Sequence, residues 1–162
     1  MTPAARLSAA IELIETIDAQ RVPAAKALKE WGTAHRYAGS GDRAAIAGLV
    51  WDVLRRRASS AWLMDADTPR ARVLGMLRLE RGMDTETISN LCHGERFAPE
   101  PLSAAERTAL TSRSLSDAPP HIELLASGVV TFGEARLLCK RAACSSESQR
   151  VFLSAPKTSP PV

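Results

Sequence analysis

The spacing of apolar residues predicts a chain built from helices. Apolar positions recur every three or four residues, as on one face of an α-helix, and no segment alternates convincingly with the period of two typical of a strand. The first helix is predicted to start with Thr2 as its cap and Pro3 in its first turn. Its predicted buried face comprises Leu7, Ala10, Ile11, Ile14 and Ile17. A second helix is predicted from residue 23 to about residue 35, with Ala27, Leu28 and Trp31 facing inward.

The third predicted helix lies in the stretch GSGDRAAIAGLVWDVLRRR, residues 39–57. Ser40 or Asp42 can cap its start, and the consecutive arginines 55–57 are expected to close it. Its apolar stripe is expected to make it the core helix of a bundle. That stripe comprises Ile46, Leu49, Val50, Val53 and Leu54.

Four further helices are predicted before residue 117. A short one surrounds Trp62, and a longer one lies between a Thr68 cap and a Gly82 stop. A compact helix is predicted over residues 84–94, and the next starts with the capping-box spacing of Ser103 and Glu106. These elements predict an all-α bundle of about six to eight helices.

The segment DAPPH, residues 117–121, marks a predicted domain boundary. Residues 1–117 are expected to form one helical domain, because their length suffices to bury a core. Residues 118–162 are expected to form a linker and two short helices with a frayed end.

Composition restricts the compartment and the chemistry. No stretch approaches the roughly 20 apolar residues of a membrane span, and acidic residues interrupt the N-terminal apolar pattern, so we expect a cytoplasmic protein with no membrane partner. Cys92, Cys139 and Cys144 form no CxxC pair, which predicts free thiols rather than disulfides or zinc ligands, and Cys92 is expected to be half-buried. His35 and the other two histidines lie in separate segments, and Asp65 and its neighbour Asp67 are expected in a solvated turn.

The glycines that open the third helix are expected to connect two helices. No Lys-Ser or Lys-Thr follows Gly39 and Gly41, so the segment is not a nucleotide-binding P-loop, and it follows a helix rather than a strand. No nucleophile, base and oxyanion hole can be assembled from the sequence. We therefore expect no catalytic residue, no metal ligand and no cofactor-binding residue.

Positive charge is concentrated at the two ends of the chain. The net charge is +3, and residues 1–57 alone carry nine Lys and Arg against six Asp and Glu. Arg43 lies in a first helical turn, where a cation is unfavourable, so an internal ion pair is expected for it. Part of the triple Arg55, Arg56 and Arg57 is expected to face solvent or RNA.

The order of helices is similar to that of one known family. The stretch at residues 39–57 resembles the helix shared by NusB-type antitermination domains and the N-terminal domain of RsmB-type (Sun-related) rRNA cytosine-5 methyltransferases. The segment AAIELIETIDAQRVPAAKALKEW resembles the first two helices of that domain, and the segment from Thr68 to Leu110 resembles its later helices. The resemblance covers roughly residues 1–120 and implies a NusB-like bundle that binds structured, chiefly ribosomal, RNA.

In the complete enzymes a second domain binds S-adenosylmethionine and supplies the catalytic cysteine. The chain is expected to be truncated before that domain, because neither Cys139 nor Cys144 follows a proline and no glycine-rich cofactor loop is present. It is therefore expected to be inactive as a methyltransferase alone.

Two functions follow as hypotheses. The first is a noncatalytic RNA-binding module that uses Arg36, Arg43, Arg55, Arg56 and Arg57, with no DNA partner expected. The alternative is a protein-interaction module that docks on a separate protein or catalytic domain, since few aromatic residues are available for base stacking.

Overall fold

Seven helices form within the part of the chain that the structure describes. The computed structural model describes residues 1–114 and Ser116. The helices are α1 (Pro3–Gln20), α2 (Ala24–Ala34), α3 (Ser40–Arg55), α4 (Arg57–Met64), α5 (Pro69–Leu79), α6 (Thr85–Leu91) and α7 (Ala104–Ser112). These residues include no strand, so the predicted all-α bundle of six to eight helices is confirmed.

Side-chain caps fix the starts of four helices. Thr2 and Thr68 each accept a hydrogen bond at 3.2 Å from the backbone N–H three residues further on, and a proline follows each of them. Asp84 accepts the corresponding bond at 2.8 Å. Ser103 and Glu106 form the predicted capping box, with bonds of 3.2 and 2.8 Å. Each cap satisfies an N–H group that has no partner within its own helix.

The start of α3 differs from the prediction. Neither Ser40 nor Asp42 caps it, because Gly39 occupies the cap position and provides no side-chain oxygen. Asp42 instead accepts hydrogen bonds from the Met1 amine at 3.1 Å and from Arg6 Nε at 2.8 Å. These bonds, that from the amine first, lower the pKa of the Asp42 carboxyl. The carboxylate therefore ties the first turn of α3 to the start of α1.

Helix α5, rather than α3, lies at the centre of the bundle. Residues 71–77 of α5 are all buried, and the helix packs against α4, α1 and α3. Helix α3 leaves Trp51 44% exposed, and Leu49 and Leu54 of its predicted stripe are only partly buried. The expectation that α3 is the core helix is therefore wrong.

The buried face of α1 is shifted from the predicted one. Leu7, Ala10 and Ile14 are buried as predicted, whereas Ile11 and Ile17 are only partly buried. The buried set includes Leu13, which the sequence stripe omitted. Because α1 contacts α2, α3, α5 and α6, its buried surface is wider than a single stripe.

The C-terminal predictions fall largely outside the described residues. Met1–Ala118 form one compact unit. The predicted boundary and the two short helices beyond it lie outside the described residues, as do His121, Cys139 and Cys144. No helix among the described residues combines the length and the apolar character needed to cross a bilayer.

Candidate functional site

The five candidate arginines lie at two separate places on the bundle. Arg36 belongs to the connection between α2 and α3, and Arg43 lies in the first turn of α3. Arg55, Arg56 and Arg57 follow at the other end of α3. Arg43 and Arg55 are twelve residues apart on one helix, which corresponds to roughly 18 Å along its axis. The five arginines therefore do not form one continuous surface.

Arg36 and Arg43 line a small open groove of about 410 Å³, which we call the basic groove. Lys29 contributes a third cation to it. The remaining lining residues are Leu28, Gly32 and Thr33. No carboxylate is among these lining residues, and all three cationic residues are exposed.

The internal ion pair predicted for Arg43 is absent among the described residues. Arg43 has no carboxylate within ion-pair distance in this part of the chain, and neither does Arg36. Asp42, the acidic residue next to Arg43 in the sequence, is bound to Met1 and Arg6. The basic groove therefore combines three positive side chains with no carboxylate that neutralises them.

Helical spacing and one glycine build the groove. Residues 29, 32 and 33 follow the spacing of one face of α2, and Arg36 lies in the connection just after that helix ends at Ala34. Gly32 lets α3 approach, because a Cβ atom at this position would lie 3.2 Å from Cδ of Arg43. The aliphatic stem of Arg43 therefore packs over Gly32, and Lys29 is the groove cation that the sequence analysis missed.

The arginine triple spans a helix junction instead of closing one helix. Arg55 is the last residue of α3, Arg56 lies at the break, and Arg57 is the first residue of α4. Only Arg55 therefore closes α3, whereas all three arginines were expected to do so. Arg55 pairs within α3, and Arg56 and Arg57 beyond the break reach carboxylates of other elements.

Arg55 and Arg56 are both paired with acidic residues. Asp52, which is buried, accepts hydrogen bonds from Arg55 and from Arg81. Arg56 Nε donates a hydrogen bond to Glu80 at 2.7 Å. Much of the positive charge at this end of α3 is thus neutralised within the fold.

Arg57 belongs to a separate group of ion pairs beside these. Its guanidinium lies 3.5 Å from a carboxylate oxygen of Asp18 and 3.4 Å from one of Asp67. Arg72, which is only 2% exposed, contacts the same two carboxylates. Its Nε lies 2.9 Å from Asp67 Oδ1, at an angle too bent for a hydrogen bond.

We call these three groups of ion pairs together the arginine–carboxylate cluster, and it contains five arginines and four acids. The arginines are Arg55, Arg56, Arg57, Arg72 and Arg81, and the acids are Asp18, Asp52, Asp67 and Glu80. Its formal charge is therefore +1, against +3 in the basic groove, so the groove attracts an anion more strongly.

The two acidic residues of the predicted solvated turn both form ion pairs with arginines. Asp67 is exposed but belongs to the cluster, and Asp65 lies 3.1 Å from Arg113. Asp65 also has a left-handed backbone conformation that ends α4. The turn therefore makes tertiary contacts that its local sequence did not indicate.

Cys92 is fully buried rather than half-buried. It is 2% exposed in the hydrophobic core, and this burial raises the pKa of its thiol. The thiol is therefore disfavoured as a nucleophile, which requires the thiolate. Within the described residues, no three His, Cys, Asp or Glu side chains converge as metal ligands.

Comparison of the chain with protein-family models, with curated proteins and with solved structures returns no match. A function is therefore inferred from the charges and surfaces of the bundle itself.

Proposed function

We propose that this bundle is a noncatalytic module that binds structured RNA. The observation that carries the proposal is the basic groove, where Lys29, Arg36 and Arg43 are exposed and no lining carboxylate neutralises them. Cations of this kind bind phosphate by electrostatic attraction and by charge-assisted hydrogen bonds. The primary phosphate contacts are assigned to this groove, and Arg55, Arg56 and Arg57 contribute less because carboxylates already hold them.

The resemblance to NusB-type domains favours RNA over an acidic protein as the anionic partner. It also suggests ribosomal RNA and a cytoplasmic location. The proposal assigns no chemical step and no cofactor to this chain. In the family that it resembles, S-adenosylmethionine binds the separate methyltransferase domain, and the Gly39 segment of this chain connects two helices rather than a strand and a helix.

The first prediction concerns the salt dependence of RNA binding by the full chain. Three phosphate contacts predict a slope of roughly −2 to −3 in a plot of log affinity against log salt concentration. Fluorescence anisotropy with a labelled ribosomal RNA hairpin measures it between about 50 and 200 mM salt. Absence of binding at the lowest salt, or affinity independent of salt, would contradict the proposal.

The second prediction uses Gly32→Ala, which moves a charge without removing it. The new Cβ atom would lie 3.2 Å from Arg43 Cδ, so the Arg43 side chain must shift. We expect RNA affinity to fall by about two- to threefold, because charge-assisted contacts depend on geometry. The free energy of unfolding of this variant should stay the same or increase, since alanine is more favourable in a helix than glycine by about 1 kcal/mol.

Gly41→Ala is the matched control for this variant, because a Cβ atom there meets nothing within 4 Å. RNA affinity should be unchanged in the control. Equal affinities for the two alanine variants would show that the position of Arg43 is unimportant for RNA binding.

The alternative function is docking on a separate protein or catalytic domain. The exposed rings of Tyr37 and Phe97 favour it, since large exposed apolar surfaces often mark interaction sites. Copurification of a defined protein partner, together with no RNA binding at low salt, would support this function over the first.

A further inference from the structure

A second and larger groove, of about 1080 Å³, lies along the first half of α1, and we call it the aromatic groove. Small residues of α1 line it, namely Ala4, Ala5 and Ala9, together with Trp31 from α2. Tyr37 and Phe97 also line it and are 73% and 78% exposed. The groove therefore joins two exposed aromatic rings and a row of small α1 residues, with Met1 and Leu91 also in its lining.

Local contacts position the Tyr37 ring and the backbone at Phe97. Tyr37 packs edge-to-face against His35 with ring centroids 5.7 Å apart, and His35 stacks on Trp31 at 4.4 Å. The loop that carries Phe97 is tied to α1, because Ser8 Oγ donates a 2.6 Å hydrogen bond to the Phe97 carbonyl. The Tyr37 ring, held in this way, loses little conformational entropy when a ligand stacks on it.

The charges of the aromatic groove suit an uncharged polar ligand better than a phosphate. Glu12 and Glu95 line it together with Arg96, so it lacks the positive surplus of the basic groove. Trp31 is 8% exposed, and its Nε1–H has no acceptor among the described residues. This donor is itself buried, so the balance of charges in the lining, rather than the indole N–H, favours an uncharged ligand.

Residues that are adjacent in the sequence line the two grooves. Arg36 lines the basic groove and the next residue, Tyr37, lines the aromatic groove. The Cα atoms of consecutive residues are about 3.8 Å apart. Likewise, Gly32 lines the basic groove and its neighbour Trp31 lines the aromatic groove. These shared boundaries in the sequence are the basis for inferring that one nucleotide chain contacts both grooves.

We propose that the aromatic groove binds an unpaired nucleobase of the RNA whose phosphates contact Lys29, Arg36 and Arg43. This inference rests on the proposed RNA-binding function and adds a preference for single-stranded nucleotides over a fully paired helix. Every base has a face that can stack on an aromatic side chain, so the groove selects unpaired nucleotides with little sequence preference.

The test compares two RNA probes that bind the full chain. One is a fully paired hairpin stem, and the other is the same stem with a short single-stranded extension that carries 2-aminopurine. We expect the second RNA to bind more tightly and its 2-aminopurine fluorescence to change on binding. Tyr37→Leu and Phe97→Leu should weaken binding of the extended RNA by roughly 5- to 50-fold. Their affinity for the paired stem should change little.

Trp51→Leu is the control, since Trp51 is an exposed aromatic residue of α3 that does not line the groove. Equal affinity of the unmodified chain for the two RNAs, with no effect of Tyr37→Leu, would overturn this inference and leave the groove to a protein partner. If neither RNA binds, the proposed function itself fails. The two failures are thus distinguishable.

Discussion

Replacing Gly75 with alanine is expected to lower the free energy of unfolding by about 2–3 kcal/mol. A Cβ atom at this position would lie 2.7 Å from the carbonyl oxygen of Ser60 and 2.8 Å from its Cα atom. Both are backbone atoms of α4, so relief of the clash requires the whole helix to move. Alanine in place of a mid-helix glycine otherwise stabilises a protein by about 1 kcal/mol, so the expected change is opposite in sign to helix propensity.

Urea denaturation followed by circular dichroism measures this effect. Gly48→Ala is the matched control, because it also lies within a helix and its Cβ atom would approach nothing closer than Arg81 Nη2 at 4.0 Å. The control should be as stable as the unmodified protein or more so. A Gly75→Ala variant as stable as the Gly48→Ala control would contradict the close packing of α4 on α5.

The close approach of α4 and α5 also determines the position of the arginine–carboxylate cluster. Arg57 begins α4 and Arg72 lies on α5, and they share the carboxylates of Asp18 and Asp67. A displaced α4 would separate these partners. The glycine therefore contributes both to core packing and to the pairing of the arginines.

Local signals predicted most of the element starts. Thr2, Thr68 and Ser103 act within three residues of the helices that they begin, so their hydrogen bonds can be inferred from short segments. The start of α3 differs, because Gly39 stands at its cap position and provides no side-chain hydrogen bond. The cap expected from Asp42 was lost because that carboxylate binds Met1 and Arg6, and the Arg6 bond spans 36 residues. Tertiary charge pairing overrode the local capping rule.

A long-range ion pair also explains why the sequence pointed to α3 rather than α5 as the central helix. Helix α5 carries Arg72 among its apolar residues, and an arginine usually marks a solvent-facing side. Its partner Asp18 lies 54 residues away in the sequence, so no local pattern could indicate that this arginine is buried. Helix α3 had the more continuous apolar stripe, yet its Trp51 faces solvent.

Long-range ion pairs also changed the roles expected for the arginines. An ion pair was expected for Arg43 and exposure for part of the triple at residues 55–57. Arg56 pairs with Glu80, 24 residues further on, which the sequence could not indicate. Among the described residues, Arg43 has no ion pair of the kind expected from its unfavourable position at a helix start. The α2 side of the basic groove was nevertheless partly predictable, since Lys29 and Thr33 have the spacing of one helix face.

We propose that RNA phosphates bind at the basic groove rather than at the arginine triple. Two triple-alanine variants test it, one at Lys29, Arg36 and Arg43 and the other at residues 55–57. Both remove three positive charges, so net charge cannot explain a difference between them. The second variant should lose stability, by about 1 kcal/mol or more, because it removes several ion pairs.

The deciding measurement is the RNA affinity of these two variants at about 0.1 M salt, with circular dichroism to confirm folding. The groove variant is expected to bind roughly 30- to 100-fold more weakly and to lose most of the salt dependence, because each phosphate contact contributes about one unit of slope. The variant at residues 55–57 is expected to stay within about fivefold of the unmodified chain. A larger loss of affinity in that second variant, with the groove variant little changed, would contradict the assignment.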